Sequence, residues 1–213
     1  MYIQKACGYV LPYDKLSSVS KSLPALPEVN GSYHKRWPAF LFVQKSAAPD
    51  WIQWTHHPEG KTHCDVCLKL DGCWFLESKS PTWPHHPFCH CTLDPIDYTV
   101  VLMDATTYSD YSKFDPYLFD TDNVYQHGKN RAFESWGYTV ADARWLQAEI
   151  EKQALEKYLA GDYTLGKLNE HGQRINIRVT IPRKDGTCEV SFITGWMVKS
   201  NGKLKLNTPY GGK

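Results

Sequence analysis

Five of the seven cysteines fall between Cys64 and Cys91, interleaved with histidines, and no other feature restricts the fold of this chain as much. The stretch reads His63-Cys64-Asp65-Val66-Cys67, then Cys73, then His85-His86-Pro87-Phe88-Cys89-His90-Cys91. A Cys-x-x-Cys pair lets two thiolates reach one ion from a tight turn. The second cluster, about twenty residues on, supplies the remaining ligands at the spacing of paired zinc knuckles. The pattern predicts one structural Zn2+ held by Cys64, Cys67 and Cys89, with His86 or Cys91 as the fourth ligand. No Glu sits beside a His as a zinc hydrolase needs. The His-x-Glu and Pro-Cys-x-x-Cys spacings of a zinc deaminase do not occur. Free core thiols or disulfides are the competing readings, and Cys7, Cys73 and Cys188 read as small apolar residues.

Compartment bears on that choice. Met1 to Val10 lacks the apolar run of a signal peptide. No run reaches the roughly 18 apolar residues of a transmembrane helix. The expectation is a soluble protein without membrane contact, in the reducing cytoplasm of a bacterial host cell or in a virion, where crowded cysteines favour metal over disulfides. A net charge of +1 provides no global basic field, so any nucleic-acid contact needs a local patch.

Composition separates three stretches. Residues 1–50 are mixed, with one apolar run, Ala39 to Val43, that reads as a strand. Residues 51–95 are rich in Trp, His, Pro and Cys, poor in periodicity, and need a staple to hold one shape. Residues 96–213 are regularly patterned. A helix is expected around Lys129 to Trp136, stopping at Gly137. A second opens with a capping-box-like Thr139 and Asp142, continues through Ala143, Leu146, Ile150, Ala154 and Tyr158, and ends at Gly161. The period then becomes two, with Ile175, Ile177, Val179 and Ile181 facing one way. Asp185-Gly186 and Asn201-Gly202 are hairpin turns joining strands near 174–182, 187–198 and 203–208. The expected fold is therefore α+β: a loop-rich zinc-stapled module (1–95), then two helices and an antiparallel β-meander (96–213).

Two resemblances extend this reading. Trp54-Thr55, the Cys64-x-x-Cys67 pair, Asp71-Gly72, Phe75 and the Pro84-to-Cys91 ending resemble the C-terminal segment of Mu F-like phage head-morphogenesis proteins. His90 stands where that family usually has Arg, and the large helical body that normally precedes the motif is missing. His127-Gly128-Lys129, Phe133, Gly137-Tyr138, Gly172, Thr194-Gly195-Trp196 and Leu206-Asn207-Thr208-Pro209-Tyr210 resemble an uncharacterised domain. That domain ends phage-encoded proteins and bacterial polymorphic toxins, and the similarity runs over about 114–213. Helices leading into an antiparallel sheet also suit the RNase superfold of barnase, EndoU, colicin and RelE-type toxins, an analogy at the level of fold.

Metal-independent RNA cleavage needs a base for the ribose 2′-OH, an acid for the leaving oxygen, and donors for the charged phosphorane. His127 and His171 titrate in the useful range. Lys129 or Arg174 could neutralise the phosphate, and Thr208 and Tyr210 could donate from the last strand. Plain structural roles compete: His127 as a loop residue, His171-Gly172 as a turn into a strand, Lys129 as a solvated charge, Tyr210 as a core edge. Arg178, Arg183, Lys184, Lys203 and Lys205 could line a basic sheet face, or only the exposed side of alternating strands. Two functions are in view. One is an RNase-like effector with RNA as substrate. The other is a non-enzymatic phage protein that binds a virion component or a host defence protein. Nucleotide handling ranks last, for want of a Gly-rich phosphate loop.

Overall fold

The structure, a computed structural model, describes residues 49–58, 64–120 and 128–211. The chain divides into two compact units, Met1–Ser46 and Ala47–Lys213, and every described residue belongs to the second. The strand expected at Ala39 to Val43 lies outside the described residues, as do His63 and His127.

The cysteine-rich stretch contains a three-stranded antiparallel sheet in the order β2-β1-β3: β1 (Trp51–Thr55), β2 (Trp74–Leu76) and β3 (Thr92–Ile96). Helix α1 (Asp65–Leu70) connects β1 to β2 and buries Cys67 and Leu70. Pro95 is tolerated because β3 is an edge strand, where a missing N–H breaks no ladder bond. The expectation of a loop-rich segment is refined here: the strands are too short to show a period, and buried Trp51, Ile52 and Trp54 interrupt the alternation of β1.

A second sheet has five strands in the order β4-β8-β7-β6-β5. Four form the meander: β5 (Thr164–Asn169), β6 (Gly172–Pro182), β7 (Glu189–Lys199) and β8 (Lys203–Thr208). The fifth, β4 (Thr106–Tyr108), follows helix α2 (Tyr98–Asp104) and pairs parallel to β8. Helix α3 (Lys129–Ser135) stops before Gly137, which has φ +87°. Helix α4 (Ala143–Leu159) follows the Thr139–Asp142 capping box and stops before Gly161, which has φ +69°. Both glycines occupy the left-handed conformation that closes a helix at low steric cost.

The buried stripe of α4, Leu146, Ile150, Ala154 and Tyr158, shares one core with Ile175, Ile177, Val179 and Ile181 of β6 and with Trp196, Val198, Leu204 and Leu206. That core continues across residue 95. The Tyr158 hydroxyl donates to the Trp74 carbonyl at 2.7 Å, the Leu76 N–H donates to the Tyr163 hydroxyl at 3.0 Å, and Cys73 bridges to Ser200. Among the described residues no helix is long and apolar enough to cross a membrane.

Candidate metal centre and a basic cleft

Cys64 precedes the first turn of α1 and Cys67 lies within it, so the Cys-x-x-Cys pair sits on one helical turn. The opposing donors come from the loop before β3. Two triads result, Cys64–Cys67–His86 and Cys67–Cys89–Cys91, each with ligand atoms within 4.8 Å of one another, and they meet at Cys67. Cys67 Sγ is 3.8 Å from Cys89 Sγ and 3.4 Å from His86 Nε2. A tetrahedral ion with bonds of about 2.3 Å to sulfur and about 2.0 Å to nitrogen has edges of about 3.8 Å (S···S) and about 3.5 Å (S···N). Both measured separations match, while a disulfide needs about 2.0 Å. The cysteines are free thiols, and this Cys/His cluster could bind a metal ion.

The surroundings prepare the donors. The His86 Nδ1–H donates to the Pro87 carbonyl at 2.8 Å, which leaves the Nε2 lone pair facing Cys67. Burial pushes the Cys67 thiol well above its ordinary range, and the neighbouring Cys91 and Cys89 add to the rise. Burial also raises Cys91, although the Trp54 indole N–H pulls it back. That indole is fully buried. His56 Nδ1 lies 3.6 Å from Cys91 Sγ, a neighbour the sequence reading missed. Cys73 stands apart, its thiol raised to about 12 by burial and directed at the Val198 carbonyl. Cys188 is half-buried in the β6–β7 turn.

Phe88 occupies the loop between His86 and Cys89 at φ 62°, with 93% of its surface exposed. A bulky residue in the left-handed region costs energy. It occurs here where the chain must fold back to present donors on both sides.

The second site lies at the end of β8, beside the 3₁₀ turn that follows β4 and the first turn of α3. Gly195 pairs with Thr208 but Trp196 pairs with Leu206, so Asn207 is the extra residue of a β-bulge. A bulge turns its side chain out of the regular alternation. Lys113, from a 3₁₀ turn after β4, donates to the Asn207 carbonyl at 3.0 Å. Lys129, from the first turn of α3, donates to Thr208 Oγ1 at 3.1 Å and to the Tyr117 hydroxyl at 3.4 Å. In the amide orientation that satisfies both side chains, Asn207 Oδ1 accepts from Arg174 Nη2 at 3.0 Å and Nε at 3.3 Å. Lys113, Lys129, Tyr117, Asn207 and Thr208 line a cleft of about 450 Å³. Lys113 and Asn207 also line a neighbouring cleft of about 340 Å³ that includes Lys199 and Lys205. Burial lowers the Lys113 pKa, as do the nearby Lys205 and Lys129 charges, against the raising effect of Asp110.

Of the expected catalytic set, Lys129 and Thr208 are therefore brought together, with Arg174 beside them. His171 sits in the β5–β6 turn and lines the neighbouring cleft, its side chain 72% exposed and its Nε2 3.5 Å from Glu170. Tyr210 packs its ring against Phe133, Trp136 and Phe192, and its carbonyl accepts from the Thr208 hydroxyl at 2.9 Å. Lys113, Tyr117 and Asn207 were not anticipated. No sequence pattern marks them as a site, although Asn207 lies in the motif that carries the second resemblance; the parallel β4–β8 pairing and the bulge are what gather them.

A family profile described as a domain of unknown function, DUF6883, matches residues 104–213, a span that contains the basic cleft but not the cysteine cluster. No curated protein and no solved structure matches the chain. Through a match that covers just over half of its length, the chain belongs to the DUF6883 family.

Proposed function

We propose that this chain is a zinc-stapled effector, associated with phages or toxins, whose C-terminal domain cleaves RNA without a metal cofactor. The observation that carries the reading is the approach of Lys129 Nζ to Thr208 Oγ1, 3.1 Å, at the mouth of a cleft also lined by Lys113. Cleavage here is transesterification. A base takes the 2′-OH proton, the 2′-oxygen bonds to phosphorus, and the bond from phosphorus to the 5′-oxygen breaks. An acid then returns a proton to that oxygen. Lys129 and Arg174 offset the charge on the phosphorane, and Thr208 donates a hydrogen bond to it when its hydroxyl turns from the Tyr210 carbonyl. His127, two residues before Lys129 in sequence, is assigned the proton transfer, and His171 serves the neighbouring cleft. The ion is zinc because thiolate and imidazole donors at tetrahedral spacing suit it. With Cys64, Cys67, Cys89 and either His86 or Cys91 filling four positions, its role is structural.

The test is incubation of metal-analysed protein with total RNA and defined tRNAs in EDTA, beside His127→Ala and Lys129→Ala variants, with zinc content measured again afterwards. Cleavage that needs those residues while zinc stays bound is the expected result. Intact RNA with folded, zinc-loaded protein would overturn it. The reading would then pass to a non-enzymatic phage protein that binds a virion component or a host defence protein. Exposed Leu102 and Met103 on α2, and Phe88 on the cysteine loop, favour that second reading, since apolar side chains in water are offered surface.

A further inference from the structure

We propose that the Asn207 bulge, framed by Lys113, Lys129 and Arg174, is a phosphate-binding site that holds one phosphodiester group of a single-stranded RNA. The proposal rests on the RNA reading above and assigns where the backbone is gripped.

Three cations from three separate elements converge on two consecutive residues of β8. Lys113 comes from the turn after β4, Lys129 from α3 and Arg174 from β6, so chain proximity does not explain their meeting. Among the described residues none of the three forms an ion pair; the four salt bridges lie elsewhere. The nearest acidic group in the adjoining cleft, Asp110, accepts from the Ser112 N–H. Burial is the first cause of the lowered Lys113 pKa; Asp110 raises it, and repulsion from the Lys205 and Lys129 charges lowers it further. An anion placed among them relieves that repulsion, and a neutral ligand does not.

The donors are oriented but not used up. A lysine ammonium has three N–H groups and a guanidinium five. Lys113 spends one on the Asn207 carbonyl, Lys129 is shared between Thr208 and Tyr117, and Arg174 is steadied by Asn207. Each keeps donors for a ligand while its position is already held, which lowers the entropy lost on binding. The floor of the site is shaped for this. A Cβ at Gly195 would lie 3.0 Å from Thr208 Cγ2 and 3.3 Å from Arg174 Nη2. Glycine in the middle of β7 thus leaves the room in which the guanidinium crosses to Asn207. Because Lys113 and Asn207 line both clefts, a strand gripped there has a recess on either side.

The test measures affinity of a 2′-O-methyl oligoribonucleotide, which cannot be cleaved, by fluorescence anisotropy over a range of salt concentrations. Each phosphate contact to a single strand contributes about 0.7 to the slope of log K against log salt. The Lys113→Ala/Arg174→Ala double variant is expected to reduce the slope by about that amount, and each single variant by a part of it. Arg174→Lys should keep the slope and lose affinity, because the charge stays and the planar fork goes. Gly195→Ala should also weaken binding at unchanged slope, with circular dichroism showing the sheet intact. A second probe, inorganic phosphate followed by line broadening in phosphorus NMR, is independent of RNA. Broadening by the native protein that is lost in the Lys113→Ala/Arg174→Ala double variant supports the site. If it occurs without oligonucleotide binding, the RNA reading falls and the anion site stands. Oligonucleotide binding with a slope unmoved by both alanine variants overturns the site and leaves the RNA reading in place.

Discussion

Asp142 accepts from the Thr139 N–H at 2.9 Å and pairs with Lys184 Nζ at 2.6 Å, at the entry to α4. It therefore closes the helix start and ties it to the β6–β7 turn. The hydrogen bond from Lys184, then that from Thr139, holds its carboxyl below the ordinary aspartate value of 3.8. A depressed folded pKa means that the stabilisation is fully present above the unfolded value and is lost as pH falls through the folded one. Asp142→Ala is expected to cost about 1 kcal/mol at neutral pH, the usual worth of a helix-start side chain. The difference from the native protein should shrink as pH drops below 3.8. Thermal melts of both proteins at pH about 7 and about 3 check this, and a gap equal at both would refute it.

At the scale of elements, the β7–β8 turn shows how tightly the two sheets are fitted. Asn201 and Gly202 have φ 57° and 66°, the pair of positive values a type I′ hairpin needs. Beyond conformation, a Cβ on Gly202 would lie 2.4 Å from the Trp74 ring, inside the atoms of the first sheet. Gly186 is a fair control, with φ +70° and nothing within 4 Å. Gly202→Ala is expected to cost at least about 2 kcal/mol, through overpacking on top of the turn strain. Gly186→Ala should cost about 1 kcal/mol, from strain alone. Denaturant titrations of the two variants give the difference, and equal losses would mean that the ring yields. Both turns were legible in the sequence, as were α3, α4 and β6 to β8, because helical or alternating periods extend over enough residues to be counted. Strands β1 to β5 were not. Each is three to six residues long, and β5 contains Gly166 where a strand signal would want a branched side chain. The cluster that could hold a metal was legible because chemistry fixes the spacing of such donors. Lys129 and Thr208 could be read as candidates, but not their meeting, nor Lys113 and Gly195, since these depend on register and a bulge that no local pattern encodes.

For the whole molecule, the cluster that could hold the ion and the sheet that carries the cleft share one core through Trp74, Tyr158, Leu76 and Tyr163. Withdrawing a structural ion leaves buried thiols without their organising charge and loosens the first sheet. Chelation is expected to lower Tm by at least about 10 °C, the equivalent of several kcal/mol for a unit this size. Tryptophan fluorescence and far-ultraviolet circular dichroism should show the same single transition before and after. Two separated transitions, with the later one unmoved by chelator, would show that the core does not couple them.

The placement of β8 between β4 and β7 has a consequence in time. During synthesis at about 5–20 residues per second, the interval from Cys91 to Thr208 lasts about 6–23 s. All the cysteine and histidine donors of the cluster emerge before that interval begins, whereas β4 waits for its parallel partner until it ends. For those seconds the nascent chain already has every donor with which it could bind an ion, while Trp74 lacks its cover from the β7–β8 turn. An ion bound there would be the first long-range tie this unit could make, closed while the Trp74 ring still waits for its cover.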